Sequence, residues 1–542
     1  MRALRTLYAL GLSLVLAGCS TGPTRPTGWS EPEAVVAPSA FHGVHGLAVA
    51  GDTRLLAGTV VGNDMWEVDR YTGAARVYIA APEGQAGDIA IGPKGELVWT
   101  SYLQGIVRYR EKDGAPIRVL AKDLPGINSL AFDMKSGRLF ASQVSLGDAM
   151  WEIDVAGAKP PRLVAKDVGG FNGFEVGPDG MLYGPLWFKG SVARMHPDTG
   201  ALTVINSEFR IPAAANLDGK GNLWVIDTKT GELSRVELSS GRRQVVLTLA
   251  TALDYLAIAP DGTIYVSNMA DNAVQAYPPS TGQLRTLLSG RLAVPAGVKV
   301  DGDTAWVADI FAFREVNLKT GAVSDIHRMQ ASDMEYPFGV GLGSKQVLLS
   351  SWFTGSVQVL DRAGWKTAAM LHGLKAPMDA QFPPDGSIAI AEIASGSITV
   401  ASGAGFKDRR TLASGLAGPV QMVVGPDGAL YVTEAAGNIQ RIDLASGDKK
   451  LVADKLLLPE GLAFTPWGSI VVAEAAARKL TEIDPASGTR RTVADNLLIG
   501  LEAGPGLPPP YVFTGVATMA DGSVVFSADR NNGLYRVRPQ RH

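Results

Sequence analysis

Cysteine is almost missing from this chain. Cys19 is the only one in 542 residues, so no intrachain disulfide and no cysteine-built zinc or redox centre can form. Histidine is scarce, at six. Charge is sparse as well: 19% of residues are charged and the net charge is −3, which gives no basic footprint for nucleic acid. No helical apolar period runs through the repeated stretches. The nucleophile and metalloprotease motifs Gly-x-Ser-x-Gly and His-Glu-x-x-His are absent, and so is any cysteine pair. An enzyme with this inventory is expected to work through a metal-activated water.

Glycine is abundant, at 63 residues, and it marks a repeat. In GPVQMVVGPDGALYVTEAAGNIQRIDLASG (418–447), QMVV, ALYVTE and IQRID read as strands separated by Gly-Pro-Asp-Gly and Ala-Gly-Asn turns, with KKLVA as a fourth. GPDGMLYGPLWFKGSVARM, APDGTIYVSNMADNAVQAY and PPDGSIAIAEIASGSITV repeat the unit. The turn residues Gly180, Gly221 and Gly262 fall 41 residues apart, and Gly386, Gly428 and Gly468 continue the phase. This is the period of a four-stranded propeller blade. Inner strands starting near Leu47, Asp88, Leu130, Phe174, Ala214 and Leu256 count six blades; those near Val298, Val340, Ala380, Met422, Leu462 and Val516 count six more.

A single ring of that size lies outside the usual range of about four to eight blades. The expected fold is therefore all-β, two tandem six-bladed β-propellers, with seven plus five as the alternative. Residues 33–36 look like a lone fourth strand before the first blade, and GLYRVRP ends the chain on a third strand. The expectation is that residues 33–36 close the first ring beside 271–277, and that 284–288 close the second beside 534–537. The corresponding domains are 33–281 and 282–540, preceded by a flexible Pro/Gly/Ser/Thr tether over 20–32.

Residues 1–19 have Arg2 and Arg5 ahead of an apolar run over 7–17, too short for an ordinary membrane-spanning helix, and end in Leu16-Ala17-Gly18-Cys19. This resembles a bacterial lipoprotein signal, which implies cleavage before Cys19 and lipidation of its thiol. Ser20 rather than Asp follows, which in such proteins favours the outer membrane, facing the periplasm. The lipid would be the sole membrane contact.

The residue just before each inner strand is expected to point to the ring axis. In the first ring these are His45, Gly87, Asn128, Asn172, Ala213 and Asp254; in the second, Ala296, Phe338, Met378, Val420, Glu460 and Thr514. The first set converges nitrogen and oxygen donors suited to a divalent cation; the second is mainly apolar. GFNGFEVGPDG (170–180) resembles the Asn-Gly segment of the SMP-30/gluconolactonase family of six-bladed metal hydrolases. That resemblance implies a lactone or ester hydrolase with Asn128, Asn172 and Asp254 holding a divalent metal, Ca²⁺ first, with Zn²⁺ or Mg²⁺ as alternatives. His45 stands where the family has glutamate, as a ligand or the general base. Glu175 is a second candidate base, and Trp187 with Phe188 a candidate pocket wall. GPDGALYVTEAAGNIQRID and LWFKGSVARM resemble blades of the NHL-like streptogramin B lyase family, which implies C–O bond elimination instead.

Structural readings stand beside these. Asn128 and Asn172 suit backbone turns, His45 a capped channel, and Glu175 a structural hydrogen bond. Asp227, Asp309, Glu392, Glu434 and Glu474, which end second strands, suit blade-to-blade hydrogen bonds. The non-catalytic alternative is an envelope scaffold gripping a protein or glycan, with the Pro-rich loop 504–510 as a contact. Replacing Cys19 by Ser is expected to release the protein from membranes on fractionation; continued attachment would refute lipidation there.

Overall fold

The computed structural model describes residues 24–504, 507 and 510–541; Cys19 and the signal segment lie outside them. Among the described residues there are twelve four-stranded antiparallel sheets and one two-stranded sheet. No helix among them is long and apolar enough to cross a membrane.

The sheets are the blades. Ring one comprises 44–79, 89–121, 127–166, 175–206, 212–248 and 253–288; ring two comprises 298–328, 339–371, 377–413, 419–453, 459–494 and 516–537 completed by 33–36. Each ring is closed by its own first and last blades. In ring one, Ser267 Oγ of blade 6 donates to the carbonyl of His45 in blade 1 at 2.7 Å. In ring two, Ser527 Oγ of blade 12 donates to the carbonyl of Ala296, at the entry to blade 7, at 2.7 Å. The same device recurs inside the rings: Ser350 Oγ reaches Met378 O at 3.0 Å and Thr433 Oγ1 reaches Glu460 O at 2.6 Å. In these blades a second-strand hydroxyl thus pins the carbonyl of the next blade's axial residue and fixes its backbone.

The closure differs from the sequence expectation. Glu33–Val36 pairs with Gly533–Val537 of the last blade, not with blade 6. Arg285–Leu288 pairs with the preceding strand Ala273–Tyr277. The reason is local: Gly282, at φ 69°, turns the chain back at once, with its N–H on Pro278 O at 3.0 Å. A short hairpin costs less loop entropy than pairing with a strand more than two hundred residues away. Blade 12 is left without a fourth strand, and residues 33–36 supply it. The boundary between rings therefore falls after Leu288 rather than at 281, and 33–36 belongs to ring two. The tether is also more ordered than expected. Gly28–Trp29 pairs with Pro539–Gln540, Trp29 packs on Trp467 at 5.9 Å between ring centroids, and Arg25 meets Glu482 at 3.1 Å.

Because ring two is latched from the chain start, the backbone crosses between rings twice, at 37–43 and 289–297. The crossings are fastened side by side. Ser39 Oγ donates to Leu292 O at 3.1 Å, and Asn272 of blade 6 donates to Ala293 O at 2.9 Å and accepts from Gly43 N at 2.8 Å. Beside them, Arg314 of blade 7 is buried against Asp309 (3.1 Å), Asp325 (3.3 Å) and Asp271 of blade 6 (3.4 Å). Arg328 ties Asp271 at 2.9 Å and Asp325 at 2.6 Å. A core cluster of ring-two residues around Phe311, Phe338 and Phe513 takes in Val61, Met269 and Ala270 of ring one.

The acids at second-strand ends are structural, but within blades rather than between them. Asp227 accepts from Arg210 N (2.6 Å) and Ile211 N (3.1 Å), and Glu434 from Ala417 N (2.8 Å), in each case the segment entering its own blade.

Two outcomes follow from this topology. Deleting residues 24–36 should lower the unfolding temperature of ring two while ring one keeps its own, read as early proteolysis of C-terminal fragments; early loss of ring one instead would refute the latch. Arg314→Met leaves the fully buried Asp309 without its cation, while Asp271 and Asp325 keep Arg328, and breaking such a buried pair costs about 3–5 kcal/mol. For a ring of this size that is a fall of about 10 °C in calorimetry.

Candidate active site between the rings

The two propellers face each other with the same end, the end at which the chain enters the inner strands. Between them lies a cavity of about 400 Å³. Four of the side chains expected on the first axis line its floor: His45, Asn128, Asn172 and Asp254. Trp187 lines it as well. Phe188 does not; it is 54% exposed on the outer side of the same turn. Glu175 also lies away from the cavity. Its carboxylate accepts from Leu217 N at 2.7 Å and Asn216 Nδ2 at 3.3 Å, joining blade 4 to blade 5. Burial raises its pKa, but the group is a strut.

His45 and Asp254 sit on the first and last blades of ring one, and ring closure brings them together. His45 Nε2 is 2.9 Å from Asp254 Oδ2, with both side chains nearly buried. His45 Nδ1 faces the Gly87 carbonyl at 2.5 Å. A carbonyl only accepts, so Nδ1 carries a proton. Nε2 lies 2.9 Å from the carboxylate but off the line of a hydrogen bond, so the two meet as an ion pair when Nε2 also carries a proton. Burial works against the imidazolium, yet the Asp254 carboxylate outweighs it, helped by the Gly87 carbonyl, and the His45 pKa is raised. Asp88, on the next blade, has its carboxyl pushed up to about 8 by burial, against hydrogen bonds from Leu130 N and Ile89 N. The His45 ring also packs at 5.2 Å on Tyr255.

The two asparagines are linked. Asn128 Nδ2 donates to Asn172 Oδ1 at 2.8 Å, and Ser129 Oγ donates to the same oxygen at 2.7 Å. Asn128 Oδ1 is buried without a partner. This decides the fit to a metal. The Asn172 oxygen is taken twice over, His45 has both nitrogens engaged, and the oxygens left are Asn128 Oδ1 and the Asp254 carboxylate. Among the described residues no three His, Cys, Asp or Glu side chains group around a common point. A calcium ion asks for about six to eight oxygens and zinc for three or four protein ligands. The residues do not fit a resident divalent ion, because too few oxygens remain free to ligate one.

The roof of the cavity comes from ring two, and it is the part the sequence reading missed. It holds Phe311, Tyr336, Phe338, Trp352, Phe353 and Tyr511. A signal was available: Trp352-Phe353 in SSWFTG occupies the same place in its blade as Trp187-Phe188 in PLWFKG. Ile310 and Tyr336 on this roof hold left-handed backbone, at φ 34° and 38°. That is a conformation non-glycine residues hold at a cost of about 1–3 kcal/mol and chiefly at functional sites. Tyr511 belongs to the long insertion before the last inner strand. That insertion turns inward: Trp352 Nε1 donates to Tyr511 O at 3.0 Å, and Asn63 of ring one donates to Glu502 O at 3.4 Å. Among the described residues the other histidines are elsewhere. His42 lies in the crossing segment, its Nε2 2.9 Å from Asp529 O; His327 and His372 sit on outer strands or beside them.

His45 should titrate by NMR above the ordinary histidine value, and Asp254→Asn should lower it. The raised folded value means the pair stabilises fully below about pH 6.5 and ceases to as pH rises through the folded pKa. The stability gap between wild type and Asp254→Asn should therefore narrow from pH 6 to pH 9 in denaturant titrations. A gap that widens would refute the ion pair.

No protein-family model matches the chain, and neither does any curated protein. Among solved structures, a streptogramin B lyase aligns at 16% identity with a TM-score of 0.26, over 60% of this chain and 93% of that one. The tricorn protease aligns at 12% identity with a TM-score of 0.36, over 92% of this chain but only 61% of its own. At this level of similarity no activity transfers, and the propeller architecture is read from the twelve blades themselves.

Proposed function

We propose that this protein is an envelope-tethered enzyme that cleaves the C–O bond of a lactone or related ester in the cavity between its rings, with His45 and Asp254 as an acid–base dyad. One observation carries the reading: the Gly87 carbonyl fixes the proton on His45 Nδ1, so Nε2 and the Asp254 carboxylate together store a single exchangeable proton at the cavity floor.

The chemistry uses that proton twice. In its deprotonated form the dyad accepts a proton from water as the water oxygen adds to the acyl carbon. The C–O bond then breaks, and the same proton passes to the departing alkoxide oxygen. Asn128 Oδ1, buried and unpartnered, accepts a hydrogen bond from a substrate hydroxyl. Trp187 closes the side of the site. Elimination needs the same two transfers, with the first proton taken from carbon and a C=C bond formed in place of water addition; product analysis separates the two. Tethering through Cys19 would set the enzyme on the periplasmic side of an outer membrane.

The test is a panel of lactones and esters with wild type, His45→Gln and Asp254→Asn. The expected outcome is turnover whose kcat/KM rises with pH to a plateau, with an apparent pKa above 6.5, and a loss of about 10²–10⁴-fold in either variant. Elemental analysis belongs with it. A stoichiometric divalent ion that disappears in Asp254→Ala would replace the dyad by the metal-dependent mechanism that the family resemblance implies. Ligand binding without turnover would make the protein a binding module.

A further inference from the structure

The division of labour across the cavity is uneven. The histidine and the aspartate on its lining both come from ring one, as do both amides. Ring two contributes eight lining residues, of which six are aromatic, in a chain that is 7% aromatic. Chance packing of an ordinary core would draw on leucine, isoleucine and valine, which dominate the cores between neighbouring blades of the same ring.

The aromatic rings are set against each other at steep angles. Tyr336 and Phe353 meet at 5.5 Å and 82°, Trp352 and Phe353 at 6.0 Å and 87°, and Phe338 and Trp352 at 5.1 Å and 45°. Trp352 cannot swing away, because its indole N–H is held by Tyr511 O at 3.0 Å. Edge-to-face packing of this kind leaves ring faces and edges available to a further aromatic group, which such pairs favour beyond simple area burial. The mouth is marked by Phe353, 39% exposed, on one side and Leu146, 49% exposed, on the other. A volume near 400 Å³ accommodates roughly a dozen non-hydrogen atoms at the space that liquid water gives each molecule.

We infer that ring two is the specificity half of the site, and that the substrate is a small aryl ester or aryl-fused lactone. Its planar body lies against Trp352 and Phe353, and its C–O bond reaches down to His45 and Asp254. The inference rests on the dyad reading for its chemistry, but the aromatic preference stands on the geometry of the roof alone.

The experiment pairs turnover with binding. Dihydrocoumarin and the aliphatic ε-caprolactone are the substrates. Binding is read by tryptophan fluorescence, using the lactams of the same two frameworks, which resist cleavage. Phe353→Ala and Trp352→Leu are the variants, and Phe188→Ala, outside the cavity, is the control. The expected result is at least a tenfold preference of wild type for the aryl lactam. Each roof variant should reduce that preference at least fivefold, mainly through KM in the turnover arm, while Phe188→Ala keeps it. Retention of the preference in both roof variants, or equal binding of aryl and aliphatic lactams by wild type, overturns the inference. Turnover of both lactones without aryl preference also overturns it while sparing the dyad. Aryl-selective binding with no turnover supports it and removes the dyad mechanism instead. Circular dichroism of each variant, matched to wild type, establishes that the comparison is between folded proteins.

Discussion

A circle of sheets has to close, and here the last blade is one strand short. An uncovered strand edge is a row of unpaired N–H and C=O groups, and the segment that covers it, Glu33–Val36, comes from the far end of the chain. Everything else in the arrangement follows from that pairing. The chain must leave ring two before building ring one and return afterwards. The two crossings run together, tied by Ser39, Asn272 and the arginine–carboxylate cluster around Arg314. With the crossings fixed side by side, the two inner-strand entry faces are held opposite each other and a cavity is enclosed between them.

Closure of ring one does the corresponding work for the chemistry. His45 and Asp254 become neighbours only because blade 1 meets blade 6, and the hydroxyl of Ser267 that seals this joint is the group that fixes the His45 backbone. Stability and site geometry therefore share one hydrogen bond. The deeper carboxyl of Asp88 is pushed up to about 8 by burial, against hydrogen bonds from Leu130 N and Ile89 N.

Much of this was legible in the sequence, for a physical reason. The turn glycines and the alternating strands recur with the blade period, so blade number and the axial residue of each blade can be read by counting. Four of the six axial residues of ring one do reach the cavity. Strand closure was misread, because residues 33–36 and 285–288 are equally good outer strands and only the turn at Gly282 decides between their partners. The function of His45 was open between ligand and base; what settles its surroundings is the carbonyl of Gly87, a backbone group with no sequence signature. The aromatic roof went unread because its residues lie on loops of a different ring, and sequence spacing does not say which faces of two domains will meet.

The latch has a consequence for how the molecule comes into being. Ring one, 44–288, is a guest lodged inside ring two, between its closing strand and the rest of it. Synthesis delivers that closing strand first and its partner, Gly533–Val537, among the last residues. Ring one has all its strands once Leu288 is made and can complete itself early, whereas ring two stays open until Gly533–Val537 is made. A chain broken off between Leu288 and Gly533 keeps a whole guest and an unsealed host. The seam thus acts as a check on assembly: only a chain that carries both Glu33–Val36 and Gly533–Val537 can seal ring two, and only a sealed ring two can hold its aromatic roof over His45 and Asp254.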